Sequence, residues 1–105
     1  MTAINQHNLP IGQPVPGWTA RAKPPRTPMQ GRFCRVEILD PHQHAADLFA
    51  ANRLDQDGRN WTYLGYGPFE RAQDYRAWAD AVSAVEDPLF HAIVDRGTSK
   101  AVGVA

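Results

Sequence analysis

Cysteine occurs once in these 105 residues, as Cys34. A lone thiol excludes an internal disulfide and fits a reducing compartment. It stands among strand-forming residues, where it reads as a buried, inert side chain. No apolar run approaches the ~20 residues of a membrane span. Met1–Pro16 lacks both a basic start and an apolar core, so no signal peptide is expected and the cytoplasm is the expected location. Chemistry-bearing motifs are equally scarce. There is no Cys/His cluster at metal-ligand spacing, no Gly-x-Ser-x-Gly and no distinct carboxylate pair. His42 and His44 are two apart, face different sides of a helix, and read as surface residues. Gly65-x-Gly67 runs into Pro68 with no strand before it, so it is no phosphate loop. Lys100-Ala-Val-Gly103-Val-Ala105 falls inside a predicted strand with no helix after it, which removes the amides a phosphate cradle needs.

Formal net charge is zero, but it is unevenly spread. Residues 1–30 hold Arg21, Lys23 and Arg26 and no acid; the remainder has eight bases against eleven acids. Three cations without interleaved aromatics are few for a nucleic-acid surface, so neither nucleic acid nor membrane is expected as a partner. The arm is expected to lie across the chain's own acidic surface.

Residues 1–30 also hold six of the nine prolines. Proline fixes φ and biases its predecessor to extended geometry, so this segment reads as an irregular or polyproline-like arm, neither helix nor strand. Pro25-Arg-Thr-Pro28 spells the PxxP core of a ligand for proline-binding modules, a pattern common in any proline-rich stretch. Ile11, Val15 and Trp18 suggest a strap that docks on the domain formed by residues 31–105.

Within that domain, Gly31–Leu39 reads as a strand, with Cys34, Val36 and Ile38 on a buried face and Arg35 and Glu37 on a wetter one. Asp40-Pro41-His42-Gln43 opens a helix: Asp40 can cap, Pro41 suits the first position, and Gln43 can complete a capping box. Ala45, Leu48, Phe49 and Asn52 carry it to about Asn52. Asp57-Gly58 marks a turn. Trp61-Thr-Tyr63-Leu-Gly-Tyr66-Gly-Pro-Phe69 has neither helix nor strand period and reads as a packed loop presenting rings to a pocket or core. Gly67-Pro68 is predicted to start a second helix ending at Glu86-Asp87-Pro88, with Ala72, Tyr75, Trp78, Ala79, Val82 and Val85 as its apolar stripe. Tyr75 and Trp78 read as core.

Leu89–Ala105 is predicted to be a β-hairpin broken at Asp95–Lys100. Its first strand is apolar on both faces and suits the middle of a covered sheet. Its second, Ala101–Ala105, has no charge or proline to blunt its outer edge, so the sheet reads as unfinished and self-association through that strand is expected. A domain of about this size buries only about 60–65% of its unfolded surface, which predicts weak autonomous stability.

The predicted class is α/β (α+β): strand, helix, helix, strand, strand, giving a three-stranded, mainly antiparallel sheet with two helices and a Pro-rich arm. That order resembles the first half of the GNAT acyltransferase fold. Gly31-Arg-Phe-Cys-Arg-Val-Glu-Ile-Leu-Asp-Pro, His44-Ala-Ala-Asp-Leu-Phe, Trp61-Thr-Tyr-Leu, Gly67-Pro-Phe, Phe90-His-Ala-Ile-Val-Asp and Ala101-Val-Gly-Val-Ala resemble the branch containing the RimJ/RimL-like N-acetyltransferases. Pro16-Gly-Trp and Pro24-Pro-Arg-Thr-Pro are similar to the N-terminal extension of one bacterial and fungal subgroup. The resemblance implies transfer of an acetyl group from acetyl-CoA to a primary amine, a protein N-terminus or a small molecule, by direct attack in a ternary complex. It maps the acceptor side onto Trp61, Tyr63, Tyr66 and Phe69, for each of which core packing is the competing reading. The family's pyrophosphate cradle, [Gln/Arg]-x-x-Gly-x-[Gly/Ala], follows a fourth strand that this sequence does not reach. The resemblance therefore implies an N-terminal piece, truncated before its acetyl-CoA site and inactive alone. The alternative is a small non-enzymatic module that engages a partner through the arm or the terminal strand.

Overall fold

The computed structural model describes residues 3–105. Its centre is a four-stranded antiparallel sheet of β3 (Met29–Gln30), β4 (Cys34–Ile38), β5 (His91–Asp95) and β6 (Lys100–Val104), in that order. Two further residue pairs, β1 (Ala3–Ile4) and β2 (Pro10–Ile11), form a separate small hairpin in the arm. The mixed class, the two helices and the antiparallel sheet are as predicted. The fourth strand is not: Met29 and Gln30 lie just past the last proline of the arm, keep their N–H groups and pair with Val36 and Arg35. The rest of the arm does not strap the domain. Ile11, Val15 and Trp18 are exposed, Trp18 by 65%. Lys23 makes the link instead, its Nζ lying 2.8 Å from Glu86.

β5 pairs with β4 on one side and β6 on the other, which is the central position its apolar sequence favours. Only one of its faces is sealed: Ala92 and Val94 are buried, while His91 and Ile93 are partly exposed. Register decides which residues share the sealed face. Glu37 stands opposite Ala92, and Val36 opposite Ile93. Directly paired residues project to the same side of a sheet, so Arg35 and Glu37 face the helices and Cys34, Val36 and Ile38 face away. This reverses the faces predicted for this strand. The reason is Leu39, which follows on the Glu37 side and is almost wholly buried, together with a partner for the Glu37 carboxylate described below.

A bulge re-aims β6. Ile93 pairs with Gly103 but Val94 with Ala101, leaving Val102 as the extra residue, 49% exposed. The insertion returns Val104 to the core side beside Ala92. Asp47 reaches the bulged strand, its Oδ2 accepting from the Ala101 N–H at 3.4 Å.

Helix α1 spans Pro41–Asn52 and α2 spans Ala72–Ser83. Ala45 and Leu48 of α1 meet Tyr75 and Ala79 of α2 over Ala92, Val94 and Ala101, and these form one core. Asp40 caps α1 as predicted, accepting from the His42 N–H at 3.1 Å. The reciprocal bond comes from His44, not Gln43: its Nδ1 accepts from the Asp40 N–H at 3.0 Å. A nitrogen that accepts is unprotonated, so Nε2 carries the hydrogen and donates to Glu37 Oε1 at 2.8 Å. Arg35 Nε donates to the other Glu37 oxygen, also at 2.8 Å. His44 is thus buried, 3% exposed, and bolts α1 to β4 rather than lying on the surface. The Arg35 and His44 bonds together hold the Glu37 carboxyl below its ordinary value.

Helix α2 starts four residues later than its Gly-Pro signal predicts. Phe69 is drawn into a ring cluster, 5.7 Å from Trp61, 5.4 Å from Tyr75 and 5.7 Å from Trp78. Seating it keeps the preceding chain irregular, and Arg71 is still extended where the helix begins. The far end stops at Ser83, leaving Val85 exposed. No helix of the described residues is long and apolar enough to cross a membrane.

Candidate acceptor-side cavity

The segment between the helices is built by short-range hydrogen bonds. Asp55 Oδ2 accepts from the Asn60 N–H at 3.0 Å, and Asp57 Oδ1 from the Arg59 N–H at 3.2 Å. Gly58 supplies the left-handed residue between them, φ 74°, and a 3-10 turn at Arg59–Trp61 follows. That turn places Trp61 edge-on to Phe69, with the rings at 90°, and edge-on to Tyr66 at 6.0 Å. Tyr66 stacks on Trp78, centroids 4.8 Å apart and planes at 26°. Gly67 is required here: its φ is +73°, and a Cβ would strike the Trp61 ring. The predicted packed loop holds for Trp61, Tyr66 and Phe69, whereas Tyr63 and Leu64 are exposed.

A cavity of about 560 Å³ opens between the end of α1 and this cluster. Phe49, Trp61, Phe69 and Tyr75 give it aromatic walls, and Asp55, Asp57 and Glu70 give it carboxylates. Among the described residues Arg53 is the one cation in its wall, with its guanidinium 5.7 Å over the Phe49 ring. Asp57 is ion-paired to Arg59 at 2.7 Å, which holds its carboxyl below the usual range. Tyr75 is 1% exposed, and burial pushes its phenol up to about 12, with the Asn52 side chain acting in the opposite direction. Its Oη is buried, with the Asn52 side chain as its polar neighbour.

The four predicted acceptor-side residues separate. Trp61 and Phe69 line the cavity and also pack on the core. Tyr66 is spent on Trp78 and Phe90 and does not reach the lining. Tyr63 is 97% exposed and touches neither. Asp55, Glu70 and Tyr75 are residues that sequence reasoning missed. The first two are a polar loop residue and a helix-flanking acid by pattern, and Tyr75 sits on an ordinary apolar stripe. The only available signal was the crowding of carboxylates on either side of the aromatic run. Among the described residues, no group of three or more His, Cys, Asp or Glu is placed to hold a metal.

No protein-family model matches the chain, and no curated protein matches it. Solved structures do. One is a GCN5-related N-acetyltransferase from Brucella melitensis, 33% identical with a TM-score of 0.76, covering 86% of this chain and 41% of that one. Another is a probable acetyltransferase of the GNAT family from Chromobacterium violaceum ATCC 12472, 26% identical with a TM-score of 0.67, covering 91% of this chain and 48% of that one. The chain therefore spans less than half the length of either structure. Its structural neighbours are GNAT-family N-acetyltransferases, and its two helices and antiparallel sheet match part of that fold.

Proposed function

We propose that this chain supplies the acceptor side of an N-acetyltransferase of the RimJ/RimL-like branch, which moves an acetyl group from acetyl-CoA to a primary amine. The observation that carries this reading is the cavity between α1 and α2: aromatic walls and surplus carboxylates suit an amine-bearing molecule, on a fold shared with acetyltransferases. Trp61 and Phe69 would wall the acceptor, and Glu70 and Asp55 would attract its charge.

The residues present do not fit the acetyl donor. None of the eight glycines has Gln or Arg three positions before it, and the nearest imitation, Lys100-Ala-Val-Gly103, lies within β6. The N-terminus of α2 follows extended Arg71, not a glycine loop. No transfer step is therefore assigned to these side chains. A second feature supports the same division. Val36, Ile38 and Ile93 make the sheet's outer face apolar, and a sheet with two apolar faces calls for a second covering layer. In this reading the donor site and that layer come from residues outside these 105, and the 105-residue chain alone is inactive.

The test is to express the chain with the coding sequence that follows it and to follow thiol release from acetyl-CoA with primary amines. Amine-dependent release is expected, with a raised KM in Trp61→Ala. A folded extended protein that binds acetyl-CoA yet acetylates no amine would overturn the reading. The outer edge of β6 favours a second reading, association by strand addition. It pairs with no strand among the described residues. Concentration-dependent dimers weakened by Val102→Lys would support that reading.

A further inference from the structure

The arm before β3 leaves much apolar surface uncovered. Ile4, Leu9, Ile11, Val15 and Trp18 are exposed by between 48 and 69%. The arm is nonetheless built. Asn5 Oδ1 accepts from the His7 and Leu9 N–H groups and closes the β1–β2 hairpin. Val15-Pro-Gly-Trp18 is a turn: Gly17 takes φ 77°, and the Trp18 N–H donates to the Val15 carbonyl at 3.3 Å. Pro24, Pro25 and Pro28 then hold the chain extended up to β3, whose pairing with β4 fixes its direction. The arm therefore stands off its own domain. The radius of gyration is 18.6 Å, against about 13 Å for a compact chain of about 100 residues. Exposed apolar side chains gathered on one built element mark an interaction surface, and an arm held off its own domain is readily exchanged between copies.

Charge selects the surface of the second copy. The arm has three cations and no acid. The layer formed by α1, α2 and the segment between them, residues 41–88, holds eight acids against four arginines. Three of those arginines are committed to Asp57, Asp74 and Asp80. One contact of the complementary kind already exists within the chain, Lys23 on Glu86, and it is exposed enough to exchange. The same layer carries Leu54, Tyr63 and Leu64, exposed by 84, 97 and 46%. Leu54 lies between Arg53 and Asp55 of the cavity wall, so this apolar patch sits beside the cavity.

We propose that two copies of this chain exchange arms. Ile11, Val15 and Trp18 of one copy cover Leu54, Tyr63 and Leu64 of the other, and the arm's cations face the acidic helix layer. The exchange does not depend on the acetyltransferase reading, and no acetyl donor enters its test.

Sedimentation velocity of the 105-residue chain from micromolar to near-millimolar concentration reads the association. A dimer is expected, weakened by added salt. Trp18→Ala, and separately Leu54→Ser with Tyr63→Ser, should each weaken it about tenfold, and all three together little further. These side chains are exposed, so an unchanged circular dichroism spectrum is expected in each variant. Val102→Lys, at the edge of β6, should leave the dimer intact, which separates it from strand addition. In a Cys34→Ser background, mixing the Trp18→Cys chain with the Tyr63→Cys chain should give a disulfide between copies. A monomer at every concentration, a dimer indifferent to Trp18→Ala, or one abolished by Val102→Lys would overturn the proposal. So would a disulfide that forms only within a chain carrying both cysteines, because the arm would then close on its own domain.

Discussion

Replacing His44 by alanine tests the internal logic of the fold most sharply. The ring makes two hydrogen bonds, to the Asp40 N–H at 3.0 Å and to Glu37 Oε1 at 2.8 Å. The first completes the cap of α1, and the second satisfies a carboxylate on the core side of β4. A neutral backbone bond contributes about 1 kcal/mol and a bond to a charged group about 1.5–3 kcal/mol, so the substitution should cost about 2–4 kcal/mol. The 75 residues from 31 to 105, at about 0.05–0.15 kcal/mol each, yield a total of roughly 4–11 kcal/mol. His44→Ala should therefore remove a large share of the stability. Urea unfolding followed by the fluorescence of Trp61 and Trp78 measures it. The pH dependence adds a second readout. The Glu37 carboxyl titrates lower when folded than its ordinary 4.5, first because of Arg35 and then because of His44. Its contribution is full above the unfolded value and is lost as pH falls through the folded one. Glu37→Gln should flatten that acid limb, and His44→Ala should reduce it. A cost under about 1 kcal/mol for His44→Ala, with the acid limb intact, would refute the bolt.

Three further substitutions test the ring cluster and the loop beside it. Gly67→Ala combines a left-handed backbone with a clash against Trp61 and should cost about 2–4 kcal/mol, read as a fall in Tm. Tyr75→Phe removes a buried hydroxyl with the Asn52 side chain as its polar neighbour and should cost about 0.5–1.5 kcal/mol; a gain in stability would mean that the hydroxyl has no partner. Tyr63→Ala, at a side chain 97% exposed, should change stability by less than about 0.5 kcal/mol and leave amine binding unchanged.

Local chemistry made much of this legible. Asp40-Pro41 starts α1 where it should, because cap and proline act within one turn. The Asp95–Lys100 break closes a hairpin because Asp95 bonds the Gly97 N–H and the Thr98 hydroxyl across the loop. What failed depended on partners in a neighbouring element, outside the local pattern of each segment. The two faces of Cys34–Ile38 cannot be assigned by alternation alone, since a carboxylate can face the core when a buried imidazole waits there. Pro68 signalled a helix start, but packing of Phe69 among rings from the 3-10 turn and from α2 outweighed it. The cavity was invisible for a similar reason. Its carboxylates read as loop polarity and its tyrosine as core, and only folding brings them to one cavity wall.

The central claim is that these 105 residues hold an acceptor and not a donor. Calorimetric titration of acetyl-CoA into the folded 105-residue chain tests it most directly. No heat of binding is expected, and saturable micromolar affinity would contradict the account.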